Sequence, residues 1–209
     1  MGLLPDRRQL TALAYQLGPA RYYQPAYRFI AADIGVERGS ALDVGCGPGW
    51  LAIHLAAGRP EVDAIGIDIC DHMLTFAEAN KRGRLNVTFR QMDAAQIVYP
   101  ADTFRVAAAV QAAHHWTNAV AVFDEVYRVM VEGGKFYVYE ADPAGEVPAD
   151  WIARKGPWPT DRYVRGQWRK FGMDADRWAA LRATAEGSSF AGSIADERHG
   201  FYRRLVCTK

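Results

Sequence analysis

Three glycines, three aspartates and a pair of histidines carry the chemistry open to this chain. Gly45, Gly47 and Gly49 stand at alternate positions in the stretch ALDVGCGPGW (41–50), two residues beyond Asp43. A structural turn between a strand and a helix needs one or two glycines. Three at this spacing suit a backbone that comes within hydrogen-bonding distance of a ligand, because glycine has no Cβ and takes positive φ readily. Asp68 follows at the end of VDAIGID (62–68). An acid about 20 residues beyond a glycine loop can accept both hydrogens of a ribose diol. Its other reading is an N-cap, since a helical stretch begins nearby. Asp93 ends a third apolar segment, Gln111 a fourth, and His114 and His115 follow at once. A histidine pair has no metal-ligand spacing by itself. Either ring can satisfy loop backbone or move a proton.

The elements that position these residues follow from hydrophobic patterning. Ala41, Leu42 and Val44 form a buried strand, and WLAIHLAA (50–57) a helix with Leu51 and Leu55 one turn apart. That order puts the glycine loop at the carboxyl end of a parallel strand, where unsatisfied helix N–H groups face a crevice. Strands are expected at 62–68, around Val87 and Phe89, over FRVAAAVQ (104–111) and over KFYVYE (135–140). The run at 104–111 is apolar enough to be central and covered on both faces. Helices are expected at 6–17, 24–34, 71–82 and about 174–186. Met73, Leu74, Phe76 and Ala77 are the inward face of the third. Another helix turns Val122, Phe123, Val126, Val129 and Met130 inward, with Gly133 and Gly134 capping its end. Two closing strands fall at about 190–197 and 200–207.

Composition bounds the class. The chain has 209 residues, half of them hydrophobic, and a formal net charge of +1. It fits one domain with a full core and has no global attraction to nucleic acid or membrane. Cys46, Cys70 and Cys207 lack metal-ligand or disulfide-framework spacing, so no metal site is expected and a reducing cytoplasm is the natural compartment. No apolar run is long enough to span a bilayer.

The dinucleotide fingerprint asks for Gly or Ala at its last position, where this chain has Trp50. A nucleotide-dependent oxidoreductase is therefore the weaker reading. LDVGCGPG instead resembles motif I of the class I S-adenosylmethionine-dependent methyltransferases, and the likeness runs over residues 36–140. It implies a cofactor site built from Asp43, Gly45, Cys46, Gly47, Gly49 and Gln111. In it Asp68 would hold the ribose, Ile69 pack on the adenine, Asp93 accept from the exocyclic amine and the Ala94 N–H meet a ring nitrogen. HHWTN (114–118) resembles the loop beside the active site of many small-molecule members, which makes His115 the candidate for proton transfer. Val131 and Glu132 replace the basic residue and proline common before the paired glycines.

The expected architecture is a single α/β domain. It is a doubly wound, mostly parallel, seven-stranded Rossmann-like sheet with a terminal antiparallel strand, capped by helices from residues 1–35. The resemblance implies S-adenosyl-L-methionine as cofactor and a small-molecule acceptor, leaving nucleic acid, protein or a non-catalytic binding role as alternatives. Residues 143–173, rich in tryptophan, are the expected substrate cover, with Trp158 and Arg162 as its grips. Within 151–182, eight basic residues face three acidic ones.

Overall fold

The computed structural model describes residues 10, 13–16, 18–145, 166, 169–170 and 172–209. Most of the expected cover, with Trp158 and Arg162, lies outside the described residues. So does more than half of the expected helix 6–17, of which residues 10 and 13–16 are helical.

Seven strands form one sheet: β1 (Gly39–Val44), β2 (Val62–Asp68), β3 (Val87–Gln91), β4 (Phe104–Val110), β5 (Met130–Ala141), β6 (Ile194–His199) and β7 (Tyr202–Thr208). Their order across the sheet is β3-β2-β1-β4-β5-β7-β6. The first five are mutually parallel, while β7 runs antiparallel to both β5 and β6. The chain winds outward from β1 in both directions, so the β1/β4 junction is the switch point at which such sheets bind ligands. The expected seven-stranded architecture is the one observed.

Helices cover both faces. On one side α1 (Pro19–Ile34), α2 (Trp50–Ala56) and α3 (Asp71–Asn80) pack with Ala41, Ala64, Val87, Val106 and Tyr139. On the other, α4 (Ala119–Val129) and α5 (Ala175–Glu186) bury Val122, Phe123, Val126, Trp178 and Leu181 against Leu42, Ala107, Phe136 and Leu205. Asn118 caps α4 by accepting the Ala121 N–H, and Asp174 caps α5 through the Arg177 N–H. Each satisfies one of the donors that a helix start leaves without a partner.

Four boundaries depart from the sequence reading. Helix α1 begins at Pro19, not 24, because a proline needs no N–H partner in the first turn. Helix α3 ends at Asn80, and Arg82 and Gly83 follow in the left-handed region. The first closing strand starts at Ile194, after a turn held by the Ser193 N–H on the Phe190 carbonyl. Gly133 and Gly134 do not cap a helix: α4 stops at Val129, and both glycines lie inside β5. A Cβ on Gly134 would come within 2.8 Å of the Val131 carbonyl oxygen, and Gly133 has φ +73. This irregular stretch follows the pairing of Met130 with Phe104 and precedes that of Lys135 with Val106, so the glycines serve a kink in the strand.

One glycine is fixed by packing rather than by any ligand. Gly49 has φ +80, and a Cβ there would lie 2.3 Å from the Phe89 ring and 2.9 Å from Ala77. Gly49→Ala is expected to destabilise the protein by about 2–4 kcal/mol, from backbone strain and overpacking together. Urea denaturation measures this. A midpoint equal to that of the wild type would show that the contact with Phe89 is not tight.

Candidate functional site

A cavity of about 540 Å³ opens where the carboxyl ends of β1 to β4 meet. The loop after β1 supplies Gly45 to Pro48, and the loop after β2 Asp68 to Cys70. Met92 to Ala95 follow β3, and Gln111, Ala112 and His114 to Asn118 follow β4. Tyr15, Tyr23 and Tyr27, from the chain before β1, complete the wall.

The glycine loop is held from below by backbone. The N–H groups of Gly45 and Cys46 both donate to the Ile67 carbonyl at 2.9 Å, which ties the end of β1 to that of β2. The Asn80 side chain reaches the Pro48 carbonyl at 2.9 Å. Gly45 lies against Ala112, whose Cβ would stand 2.7 Å from a Cβ at position 45. Over Gly47, at φ +50, no atom of the described residues beyond its chain neighbours lies within 4 Å of the Cβ position. The loop thus packs tightly on one side and offers bare backbone to the cavity on the other.

Asp68 reaches across this junction. Its Oδ2 accepts the Gly47 N–H at 2.7 Å and its Oδ1 the Cys70 N–H at 2.8 Å. Burial raises its pKa from the ordinary carboxylate value, although the Cys70 and Gly47 bonds pull the other way. A carboxylate oxygen has lone pairs for more than one donor, so these bonds leave Asp68 able to take hydroxyl hydrogens. Ile69, next along, is 69% exposed and lines the cavity, a large apolar side chain lacking a cover of its own. Asp93 and Ala94 face the cavity from β3, with the Asp93 Oδ1 held by the Ala95 N–H at 2.9 Å.

The β4 side carries backbone strain. Gln111 has φ +52, donates its N–H to the Tyr139 carbonyl at 2.8 Å and its side-chain amide to the Tyr202 hydroxyl at 3.3 Å. A non-glycine residue there costs about 1–3 kcal/mol, and such positions cluster at binding sites. Beyond it His114 and His115 form a short 3-10 turn with ring centroids 4.0 Å apart. His115 is exposed, and the partial loss of water around its ring, with His114 and Arg177 adding repulsion, lowers its pKa. His114 faces Glu140, which is fully buried: Nδ1 lies 3.0 Å from Oε2, and the His114 N–H donates to Oε1 at 3.2 Å.

Nine expected site residues thus come together around one cavity: Gly45, Cys46, Gly47, Asp68, Ile69, Asp93, Ala94, Gln111 and His115. Asp43 and Gly49 do not line it. Asp43, 2% exposed, accepts the Ala52 N–H at 3.0 Å and caps α2 from the neighbouring strand, while Gly49 packs on Phe89. Sequence reasoning passed over Glu140, Tyr15, Met73 and Met92 as site residues. Of these only Tyr15 belongs to a visible pattern, the tyrosines at 15, 22, 23 and 27. The geometry suits a nucleoside: bare backbone at Gly47, a carboxylate for hydroxyls at Asp68 and an apolar platform at Ile69.

Comparison with known proteins agrees. Residues 41–134 match the family model described as a methyltransferase domain. Those residues, which hold most of β1, all of β2 to β4 and the glycine loop, are thus similar to a methyltransferase domain. The fatty-acid O-methyltransferase of Mycolicibacterium smegmatis is 29% identical over 128 residues, 61% of this chain and 46% of that protein. The demethylmenaquinone methyltransferase of Thermus thermophilus is 28% identical over 120 residues, 56% of this chain and 54% of the relative. The chain therefore spans about half the length of these curated relatives. A solved Methanococcus maripaludis protein, described as a candidate S-adenosyl-L-methionine-dependent methyltransferase, shares the fold with a TM-score of 0.74 at 17% identity. That likeness covers 100% of this chain and 97% of the other.

Asp43 has a consequence for stability. Burial pushes its pKa up to about 7, against the opposing Ala52 N–H and with Asp68 adding repulsion. The folded state therefore holds a proton that the unfolded chain releases near pH 4, and stability falls as pH rises from about 4 to 7 and then levels. Asp43→Asn keeps an acceptor for Ala52 and removes this dependence. Urea midpoints from pH 4.5 to 8 should fall less steeply in the variant, by a difference on the order of 3 kcal/mol in stability. Parallel curves would show that Asp43 stays ionised throughout.

Proposed function

We propose that this chain transfers a methyl group from S-adenosyl-L-methionine to a small-molecule acceptor. The observation that carries this reading is the meeting of the bare Gly47 backbone and the Asp68 carboxylate in one cavity. The bound cofactor supplies a methyl group already activated on a sulfonium. Asp68 takes the ribose hydroxyls and the glycine loop gives close backbone approach. Ile69 lies against the adenine, while Asp93 and the Ala94 N–H read its edge. Because the methyl carrier is activated, alignment and exclusion of water supply most of the acceleration, and the protein's task is to hold the acceptor in line.

The acceptor side of the cavity is aromatic: Tyr15, Tyr23, Tyr27 and Trp116 stand around it. Burial raises the pKa of the Tyr15 and Tyr27 hydroxyls, which share a hydrogen bond, so both stay neutral. No Lys or Arg is among the described residues that line the cavity. That favours a compact, largely apolar acceptor over a nucleic-acid backbone, which needs phosphate contacts. The relatives' names, a fatty-acid and a demethylmenaquinone methyltransferase, fit the same class of acceptor. Cys46, Cys70 and Cys207 are unpaired, and no helix among the described residues is long and apolar enough to cross a membrane. Both suit a protein working in the cytoplasm.

Replacing Asp68 with Ala removes charge-assisted bonds to the ribose, worth roughly 1.5–3 kcal/mol, or about ten- to a hundredfold in affinity. Calorimetry with S-adenosylhomocysteine measures it. An unchanged dissociation constant in a folded variant would remove Asp68 from the cofactor site. Thermal protection by nicotinamide dinucleotides and not by S-adenosylhomocysteine would replace the methyltransferase reading altogether.

A further inference from the structure

A second cleft, of about 320 Å³, opens at the amino ends of β1, β4 and β5, the end of the sheet opposite the cofactor cavity. The two openings lie roughly 20 Å apart, the length of a seven-residue strand such as β4. Arg38, Arg105 and Lys135 line the cleft from three elements: the loop before β1, β4 and β5. All three are exposed, and none is ion-paired to a carboxylate among the described residues. The buried Ile34, Val36 and Val106 supply an apolar lining beside them.

Arg105 reaches this cleft because the strands fall out of step. Phe104 packs on the α4 side of the sheet and Val106, two residues on, on the α1 side, whereas strict alternation would put both on one side. Between the pairings of these two residues β4 advances from 104 to 106 and β5 from 130 to 135, through the kink at Gly133 and Gly134. Irregularities of this kind re-aim a side chain. Here Arg105 shares the cleft with Val106 and with Lys135, the partner of Val106 on β5. Gly39, at φ +90, leaves room on β1: the Cβ, Cδ and Nε of Arg105 lie 3.7 Å from where a Cβ would stand. Three like charges are thereby gathered in one concavity. Their repulsion costs free energy, which a bound anion offsets.

We propose that this cleft is a second binding site, and that its ligand is a small phosphate monoester. Guanidinium forks match phosphate oxygens two at a time, and an ammonium adds a compact charge. Against the three cations stand Glu37 at the rim and the carboxyl end of α1, equivalent to about half a negative charge, so the cleft keeps the net positive charge a dianion needs. A carboxylate ligand offers one charge and two oxygens, fewer than these donors can use. A nucleic-acid strand needs cations repeated along a path, whereas these converge, and the whole chain carries a net charge of only +1. The organic part of the ester lies on the apolar lining and on half-buried Tyr137. Burial raises the Tyr137 pKa, so its hydroxyl stays protonated beside the anion. The site is separate from the cofactor cavity and stands whether or not the methyltransferase reading does.

Calorimetry on the full chain with phenyl phosphate, inorganic phosphate and benzoate in a low-salt buffer tests this. Phenyl phosphate should bind saturably and about fivefold or more tighter than either of the others, since it alone uses both the cations and the apolar lining. Its dissociation constant should be the same with S-adenosylhomocysteine at saturation. Arg38→Gln, Arg105→Gln and Lys135→Gln should each weaken it about tenfold, and Arg84→Gln, in the turn before β3, should leave it unchanged. Without ligand, the urea midpoints of Arg38→Gln and Lys135→Gln should equal or exceed that of the wild type, because each removes repulsion.

The proposal is overturned if phenyl phosphate does not bind by about 10 mM, if S-adenosylhomocysteine displaces it, or if the three variants bind it as the wild type does. Inorganic phosphate or benzoate bound as tightly as the ester would overturn the monoester assignment. An RNA oligonucleotide bound more tightly than the ester, with Arg84→Gln as harmful as Arg38→Gln, would make this a nucleic-acid surface instead. Should Arg105→Gln not fold, the exposed Arg38 and Lys135 still decide.

Discussion

The clasp that Asp68 makes between two strand ends is the contact on which the site depends. One carboxylate takes the Gly47 N–H at 2.7 Å and the Cys70 N–H at 2.8 Å, while the Ile67 carbonyl just before it takes those of Gly45 and Cys46. Without these bonds a loop with three glycines in left-handed conformations would have little to hold it, since glycine loses the most freedom on ordering. With them, the loop presents its backbone outward and β2 delivers an acid and an apolar residue, Ile69, to the same opening. Burial raises the Asp68 pKa, so its charge is held at an energetic cost that added donors from a ligand would offset. Here the forces that shape the loop also tune the group that binds.

Around that clasp the fold supplies two further walls. The β4 end is set by Gln111, whose unusual backbone is held by Tyr139 and Tyr202. The aromatic wall comes from the chain before β1. Helix α1 is anchored to the far edge of the sheet through Asp33, which accepts the Tyr139 hydroxyl at 2.6 Å and pairs with Arg204 of β7. The antiparallel hairpin β6/β7 thus steadies the tyrosines as well as closing the sheet. The clasp and the aromatic wall are built on different elements, so either can change while the other stays. A fatty-acid and a demethylmenaquinone methyltransferase are both similar to this chain over the shared core.

What the sequence made legible was local. The glycine spacing, the acid ending VDAIGID and the apolar run at 104–110 each encode an element and its end in a few residues, and the structure has them there. What stayed illegible is long-range. Asp43 and Gly49 belong to the motif, but Asp43 caps α2 and Gly49 makes room for Phe89, a residue forty positions on. Gly133 and Gly134 read as a helix end because paired glycines usually are, whereas here they let β5 start early and shift its register against β4. Glu140 looked like one polar residue in an alternating strand. Only the fold shows it fully buried against a ring 26 positions away.

If the clasp is the ribose site, a crystal structure with S-adenosylhomocysteine bound shows it most directly. Both ribose hydroxyls should then lie within hydrogen-bonding distance of the Asp68 carboxylate, the adenine against Ile69 with its edge at Asp93 and Ala94, and the sulfur beside Gly45 and Gln111. A ligand seated elsewhere, or a ribose turned away from Asp68, would contradict it.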